Sequence, residues 1–147
     1  MEVKIKRKHP GVKIPTYGTE GAACFDIYAD LGGSYYTLGA YWEDLEIPTG
    51  LFFEIPEGKA LLIYSRSGHG FKNDIRLSNS VGVIDSDYRG ELKVKLRADS
   101  KNNPLEIDST TKIAQGMIID VPKVSFSVVE ELSETQRGTG GFGSTDK

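Results

Sequence analysis

Apolar and polar residues alternate with a period of two through much of this chain. In Glu91-Leu92-Lys93-Val94-Lys95-Leu96-Arg97, the residues Leu92, Val94 and Leu96 fall on one face and the charges on the other. That is the pattern of a half-buried β-strand. Val3-Lys4-Ile5-Lys6 repeats it in short form. Cys24–Tyr28, Leu51–Ile55, Ala60–Tyr64, Ser80–Ile84, Lys112–Asp120 and Val124–Val129 are further runs of strand-forming residues. Turn residues separate them: Ile47-Pro48-Thr49-Gly50, Pro56-Glu57-Gly58, Tyr88-Arg89-Gly90, Asn102-Asn103-Pro104 and Val121-Pro122. No segment sustains a 3.6-residue apolar period. Short strands at roughly 8–12 residue spacing predict an all-β sandwich, jelly roll or barrel. Gly32–Trp42 and Arg97–Ser109 are expected to be irregular.

Composition narrows the partners. At 147 residues the chain is long enough for one domain with a real core. Its formal net charge of −3 argues against a nucleic-acid binder, which works through a basic face. A single nucleotide needs only a few placed cations. The one cysteine, Cys24, forms no zinc-spaced cluster with His9 and His69. No apolar run follows the basic N-terminus, and none is long enough to span a membrane. The expected compartment is the cytoplasm, or a host cytoplasm for a viral source, and not the secretory route.

Several polar segments interrupt the strands. Ile84-Asp85-Ser86-Asp87-Tyr88-Arg89-Gly90 lies between two strand-like runs and reads as a hairpin tip. Asp85 ends the apolar run Val81, Val83, Ile84, so it is expected to be partly shielded from water, which suits general-base work. Tyr88 offers a ring to a sugar or base. A polar turn needs the same residue types for local reasons. Tyr64-Ser65-Arg66-Ser67-Gly68-His69-Gly70 supplies a guanidinium fork, a hydroxyl and unhindered N–H groups, but no Walker pattern. His69 reads as a solvated loop residue. Asp26 sits inside an apolar strand and needs a partner. Gln115 sits in the strand Lys112–Asp120 and either faces outward or donates to a ligand.

The C-terminus, Arg137-Gly138-Thr139-Gly140-Gly141-Phe142-Gly143-Ser144-Thr145-Asp146-Lys147, has no core pattern. Glycine-rich ends are commonly flexible tails. This one also carries an arginine fork, an aromatic ring and hydroxyls, the parts needed to cover a phosphorylated ring. The expected division is a body over residues 1–133 and a flexible Gly-rich arm over 134–147.

Taken in order, these segments resemble the motifs of the homotrimeric dUTPases. They are Ala22-Ala23-Cys24-Phe25-Asp26-Ile27, Ser65-Arg66-Ser67-Gly68, Asn79 through Gly90, Lys112-Ile113-Ala114-Gln115, and Arg137 through Thr145. The third and fifth are the most specific. The resemblance implies a jelly-roll-like distorted barrel, a homotrimer with shared sites, and hydrolysis of dUTP to dUMP and pyrophosphate with Mg²⁺. It assigns Asp85 to activation of the attacking water. Asn79, Gly82, Val83, Ile84 and Lys93 go to uracil, Tyr88 beneath the deoxyribose, and Phe142 over the base. Arg66, Ser67 and Gly68 from a neighbouring subunit go to the phosphates, with Gln115, Arg137, Gly143, Ser144 and Thr145. No direct protein ligand to Mg²⁺ is expected, because the ion favours phosphates and water; Asp26 is a candidate for an indirect contact. Tyr64-Ser65 replaces the proline usual before Arg-Ser, and the Gly32–Tyr41 excursion is longer than expected. Two other readings stay open: a dCTP deaminase, disfavoured by Lys95 where that enzyme places a glutamate, and a nucleotide-gated regulatory protein.

Overall fold

The computed structural model describes residues 1–40 and 43–142. It is almost entirely β. The strands are β1 (Lys4–Arg7), β2 (Thr16–Tyr17), β3 (Phe25–Tyr28), β4 (Tyr36–Leu38), β5 (Asp44–Glu54), β6 (Lys59–Tyr64), β7 (Ile75–Leu77), β8 (Val81–Ile84), β9 (Glu91–Ala98), β10 (Leu105–Ile107) and β11 (Lys112–Asp120). A four-stranded sheet runs β1-β5-β9-β7 and a five-stranded sheet runs β2-β3-β11-β6-β8. All strand pairs are antiparallel. This bears out the all-β expectation, although the sheets do not close into a barrel.

The period-two pattern explains the packing. Leu92, Val94, Leu96 and Ala98 point inward from β9 while Lys93, Lys95 and Arg97 stay in water. Ile47, Leu51 and Phe53 from β5 and Ile75 and Leu77 from β7 join them. From the other sheet come Ile27, Leu61, Ile63, Ile113 and Ala114, and together these side chains make one apolar core. Burying a residue such as Leu61 or Ile113 is worth about 1.5–3 kcal/mol.

Four features depart from the sequence expectations. Ile47-Pro48-Thr49-Gly50 is not a turn but an irregularity inside β5, where the register with β9 shifts between Pro48 and Phe52. Pro and Gly mark bulges as readily as turns. Thr49 Oγ1 donates to the Leu92 carbonyl at 2.6 Å, the Gly50 N–H donates to the Glu91 carboxylate at 2.9 Å, and the Pro48 carbonyl accepts from the Asp30 N–H at 2.8 Å. The bulge is therefore hydrogen-bonded throughout. Second, the two segments expected to be irregular pair with each other, as β4 and β10. Third, a helix, α1 (Ser67–Asn73), follows Arg66 and buries His69. It is too short and glycine-rich to show helical periodicity, and its His69 is not solvated.

The fourth lies past β11. Residues 121–142 form no strand or helix. Val124, Phe126 and Val128, expected in a strand, are 70%, 92% and 102% exposed. Among the described residues this segment pairs with no strand. Among the described residues, no helix is long and apolar enough to cross a membrane.

Gly50 has φ +67°, and a Cβ there would lie 2.5 Å from Val12 Cγ2 and 2.7 Å from Asp30 Oδ2. Gly50→Ala is expected to cost about 2–4 kcal/mol from left-handed strain plus overpacking. A lowered midpoint with unchanged slope in denaturant unfolding would record it.

Candidate functional site

The segment around Asp85 is not the closed hairpin that its sequence predicts. β8 is the edge of the five-stranded sheet and pairs only with β6, while β9 belongs to the other sheet. β7 pairs with β9 only at Leu96–Ala98. Ahead of that point, β8 and β9 diverge and leave a cavity of about 390 Å³. Asn79, Gly82, Val83, Ile84 and Lys93 all line it, so the structure gathers every residue expected to meet the base from this segment. Lys95, which the sequence places where a deaminase has its glutamate, lines it too, and so does Ser78, which was not foreseen. The free edge of β8 presents N–H and C=O groups of fixed spacing to this slot.

Local chemistry shapes the slot. Asn79 is held in a tight turn in which the Ser80 N–H donates to the Leu77 carbonyl at 3.3 Å and the Val81 N–H to the Asn79 carbonyl at 2.7 Å. Ser80 has φ +63°, a left-handed conformation unfavourable for a non-glycine residue. A Cβ on Gly82 would sit 3.1 Å from Ile63 Cβ, so glycine lets β8 lie close over Ile63. Lys93 donates its ammonium to Glu46 at 2.9 Å. That hydrogen bond pushes the ammonium above its ordinary range and leaves the Lys93 backbone to meet the slot.

Asp85 follows Ile84 directly, yet it lines a neighbouring cavity of about 580 Å³ with Ser86, Asp87, Arg89, Glu57, Lys59 and Lys123. It is exposed, not shielded, because Val81 and Val83 before it are themselves 39% and 61% exposed. The turn is internally fixed. The Tyr88 N–H donates to the Asp85 carbonyl at 3.2 Å, and Arg89 Nη1 donates to the carbonyls of Ser86 and Tyr88 at 2.7 and 3.1 Å. The Tyr88 hydroxyl donates to the Glu91 carbonyl at 3.1 Å, which lays the ring over Gly90.

A second polar cluster forms elsewhere. Arg66 Nε donates to Asp26 Oδ1 at 3.2 Å, and Lys112 Nζ meets Asp26 Oδ2 at 2.7 Å. Asp26 is buried, as a lone acid in an apolar strand requires, and both its oxygens are engaged by cations. Gln115 Nε2 donates to the Ser65 carbonyl at 2.9 Å. Ser67 and Gly68 open α1, where first-turn N–H groups lack helical acceptors. Burial and then the Arg66 charge push the His69 imidazole below its ordinary pKa, so this histidine is a neutral packing residue. Among the described residues no group of His, Cys, Asp or Glu is arranged to hold a metal ion.

The two clusters are far apart in one chain. In the β6–β8 register Leu61 faces Ile84 and Tyr64 faces Val81. Asp85, the residue after Ile84, therefore stands level with Ala60 near the start of β6, whereas Arg66 lies beyond its other end, about 20 Å away at ~3.3 Å per residue. In the C-terminal segment Arg137 Nε donates to the Gly140 carbonyl at 2.8 Å and Phe142 is fully exposed. Neither joins either cluster. Gly143, Ser144 and Thr145 lie outside the described residues.

The chain thus combines an open strand-edge slot, a carboxylate in the adjoining cavity and a separate cationic loop. The family model for dUTPase matches residues 11–146, and the chain belongs to the dUTPase family. The deoxyuridine 5'-triphosphate nucleotidohydrolase of Rhizobium rhizogenes is 46% identical over 136 residues, covering 92% of this chain and 86% of that protein. The protein of the same name from Nautilia profundicola is 44% identical over 147 residues and covers 100% of both. The solved dUTPase of Staphylococcus bacteriophage 80alpha, with dUPNHPP, superposes with TM-score 0.84 at 25% identity over 97% of each chain.

A Cβ at Gly90 would lie 2.3 Å from the Tyr88 hydroxyl oxygen. The ring is half exposed and can swing away, so Gly90→Ala is expected to change folding stability by less than about 0.5 kcal/mol. Displacing the ring should weaken deoxynucleotide binding about tenfold. Calorimetric titration with dUMP, alongside denaturant unfolding, measures both.

Proposed function

We propose that this protein hydrolyses dUTP to dUMP and pyrophosphate, with Asp85 as the base that activates water for attack on the α-phosphorus. The observation that carries this reading is the slot between β8 and β9, with Asp85 in the adjoining cavity directly after the slot residue Ile84. Family membership and the named activity of the relatives support it.

Uracil entering the slot meets alternating backbone donors and acceptors, which match its O2, N3–H and O4. Cytosine presents the opposite pattern at two of those positions and leaves polar groups unpaired. Such mismatches give discrimination of about 10⁴–10⁵. Thymine differs by a methyl, so its exclusion is steric. Asn79 closes one end of the slot, and Tyr88 lies under the deoxyribose with no room for a 2′-hydroxyl. Lys95 lines the slot where a deaminase would need a carboxylate, which disfavours dCTP deamination.

Separation of Asp85 from Arg66 requires a second subunit. In a symmetric homotrimer the Arg66, Ser67, Gly68 and Gln115 cluster of one subunit serves the Asp85 turn of its neighbour. Guanidinium and N–H donors then neutralise charge on the phosphates as the leaving pyrophosphate departs. The exposed Val124, Phe126 and Val128 support assembly, since such apolar alternation marks an interaction segment. The arm supplies Phe142 as a cap over uracil, with Arg137, Gly143, Ser144 and Thr145 on the β- and γ-phosphates. Mg²⁺ fits this arrangement: both Asp26 oxygens are occupied by cations, and the cavity beside Asp85 is polar and open. Triphosphate oxygens and water would hold the ion, and when bound it offsets phosphate charge.

Asp85→Asn keeps the shape and removes the base. It is expected to bind dUTP with near-normal affinity and to lose about 10²–10⁴ in kcat. Pyrophosphate release from dUTP, dCTP, dTTP and UTP with Mg²⁺ tests the assignment. Near-normal turnover by the variant, or a wild type that does not prefer dUTP, would contradict it.

A further inference from the structure

The bulge in β5 is completed by a carboxylate that the functional reading leaves without a role. Between the pairs Pro48–Lys93 and Phe52–Glu91, the residues Thr49, Gly50 and Leu51 of β5 stand against Leu92 alone. A ladder interrupted in this way leaves backbone groups without strand partners, and each one shielded from water needs another. The Gly50 carbonyl accepts from the Lys8 N–H at 2.8 Å, and the Leu51 N–H donates to Thr49 Oγ1 at 3.2 Å. The half-buried Gly50 N–H donates to Glu91 Oε1 at 2.9 Å. The Glu91 side chain is 16% exposed, and the Lys8 ammonium stands 3.8 Å from its other oxygen. Glu91 is the first residue of β9, so its carboxylate ties the start of that strand to the bulge.

The same residue holds the turn in front of it. Its backbone carbonyl accepts the Tyr88 hydroxyl at 3.1 Å. The Tyr88 residue is 46% exposed, so packing alone restrains the ring little, and a half-exposed side chain left free spreads over several rotamers. Gly90 supplies room beneath the ring and no restraint on it. The hydroxyl tether is therefore what fixes the ring's height and tilt. One residue thus joins two hydrogen bonds: the Glu91 carboxylate is seated on the β5 bulge, and the Glu91 carbonyl holds Tyr88. Freeing the carboxylate from Gly50 lets the start of β9 shift, and the anchor of the ring shifts with it.

We propose that Glu91 is a positioning residue for recognition of the sugar. Its carboxylate, held by the Gly50 N–H, sets the place of the carbonyl that tethers Tyr88, and thereby how closely the ring approaches C2′ of a bound nucleotide. A ring held there leaves space for a hydrogen but not for a hydroxyl. A ring released from it admits ribose and grips deoxyribose less well. The proposal rests on the dUTP reading above and extends it to a side chain that touches no substrate atom.

Turnover of dUTP and of UTP by the full-length protein tests it, with the ratio of the two kcat/KM values as the readout and a thermal melt beside each assay. Glu91→Ala is expected to lower that ratio about tenfold. Glu91→Gln keeps an oxygen acceptor for Gly50 and should hold the ratio within about twofold of wild type. Glu91→Asp reaches less far, should fall between the two, and carries the test if the alanine variant does not fold. Tyr88→Phe removes the tether and should lower the ratio as far as Glu91→Ala does. Adding Glu91→Ala to Tyr88→Phe should lower it no further, because both changes break one linkage. A lowered melting midpoint with an unchanged ratio, or losses that multiply in the double variant, overturns the proposal and leaves Glu91 a residue of the scaffold alone. A wild type with no preference for dUTP over UTP sinks the dUTP reading itself.

Discussion

Strand backbone without a partner is costly when shielded from water, and the geometry of this protein depends on keeping one such edge open. β8 satisfies one side through β6 and leaves the other facing β9 across a slot. The edge persists because β8 and β9 belong to different sheets. β9 is bound along its length by β5 and anchored by inward-pointing Leu92, Val94 and Leu96. β8 is fixed by β6 and by the close approach of Gly82 to Ile63. Neither strand can move to close the gap without breaking a ladder or exposing core. In the proposed reading, a base with complementary donors and acceptors is the partner of this edge.

The rest of the fold holds the polar groups around that slot by local irregularity on a regular scaffold. The β5 bulge at Pro48–Gly50 is satisfied by Thr49, Glu91 and Asp30. The β11 bulge turns Lys112 toward Asp26. The left-handed Ser80 presents Asn79, and the missing side chain of Gly90 receives the Tyr88 ring. In each case one residue departs from the ideal, and packed neighbours determine where it points. The consequence for function is a division of labour. The slot runs along β8 beside β6, with Asp85 just past its Ile84 end, while Arg66 and its partners lie beyond Tyr64; the proposed reading joins the two between subunits.

Much of this was legible in the residues. Period-two alternation located β9 because it has one buried and one solvated face, and runs of strand-forming residues located β3, β6 and β11, whose burial does not alternate. The short strands β2, β4, β7 and β10 escaped notice, since two or three residues show no period. α1 escaped for the same reason, with Gly68 and Gly70 masking its propensity. Pro48 and Gly50 signalled a turn, but the same residues serve a bulge, and only the pairing of β5 on both sides distinguishes the two. Of the site, Asp85, Tyr88 and the slot residues were identifiable from the motifs. Lys112 was quoted with the fourth motif, but its place against Asp26 was not legible, because the bulge at Ile113 breaks the parity by which faces are counted. Exposure of Asp85 was also hidden: an apolar run predicts burial, whereas β8 is an edge whose Val83 faces outward. Val124–Val129 was expected as a strand, but the segment forms none, and Val124, Phe126 and Val128 stay exposed.

The central claim is that Asp85 and Arg66 act in one site only when contributed by different subunits. Co-expressing Asp85→Asn and Arg66→Gln chains in equal amounts, and assaying pyrophosphate release from dUTP, tests it most directly. Each variant alone is expected to lose most of its activity. In randomly mixed trimers about a quarter of the sites receive an intact Asp85 turn and an intact Arg66 loop from neighbouring chains. The account predicts recovery of about a quarter of wild-type activity. A mixture as inactive as its components would contradict it, because the two residues would then have to meet within a single chain.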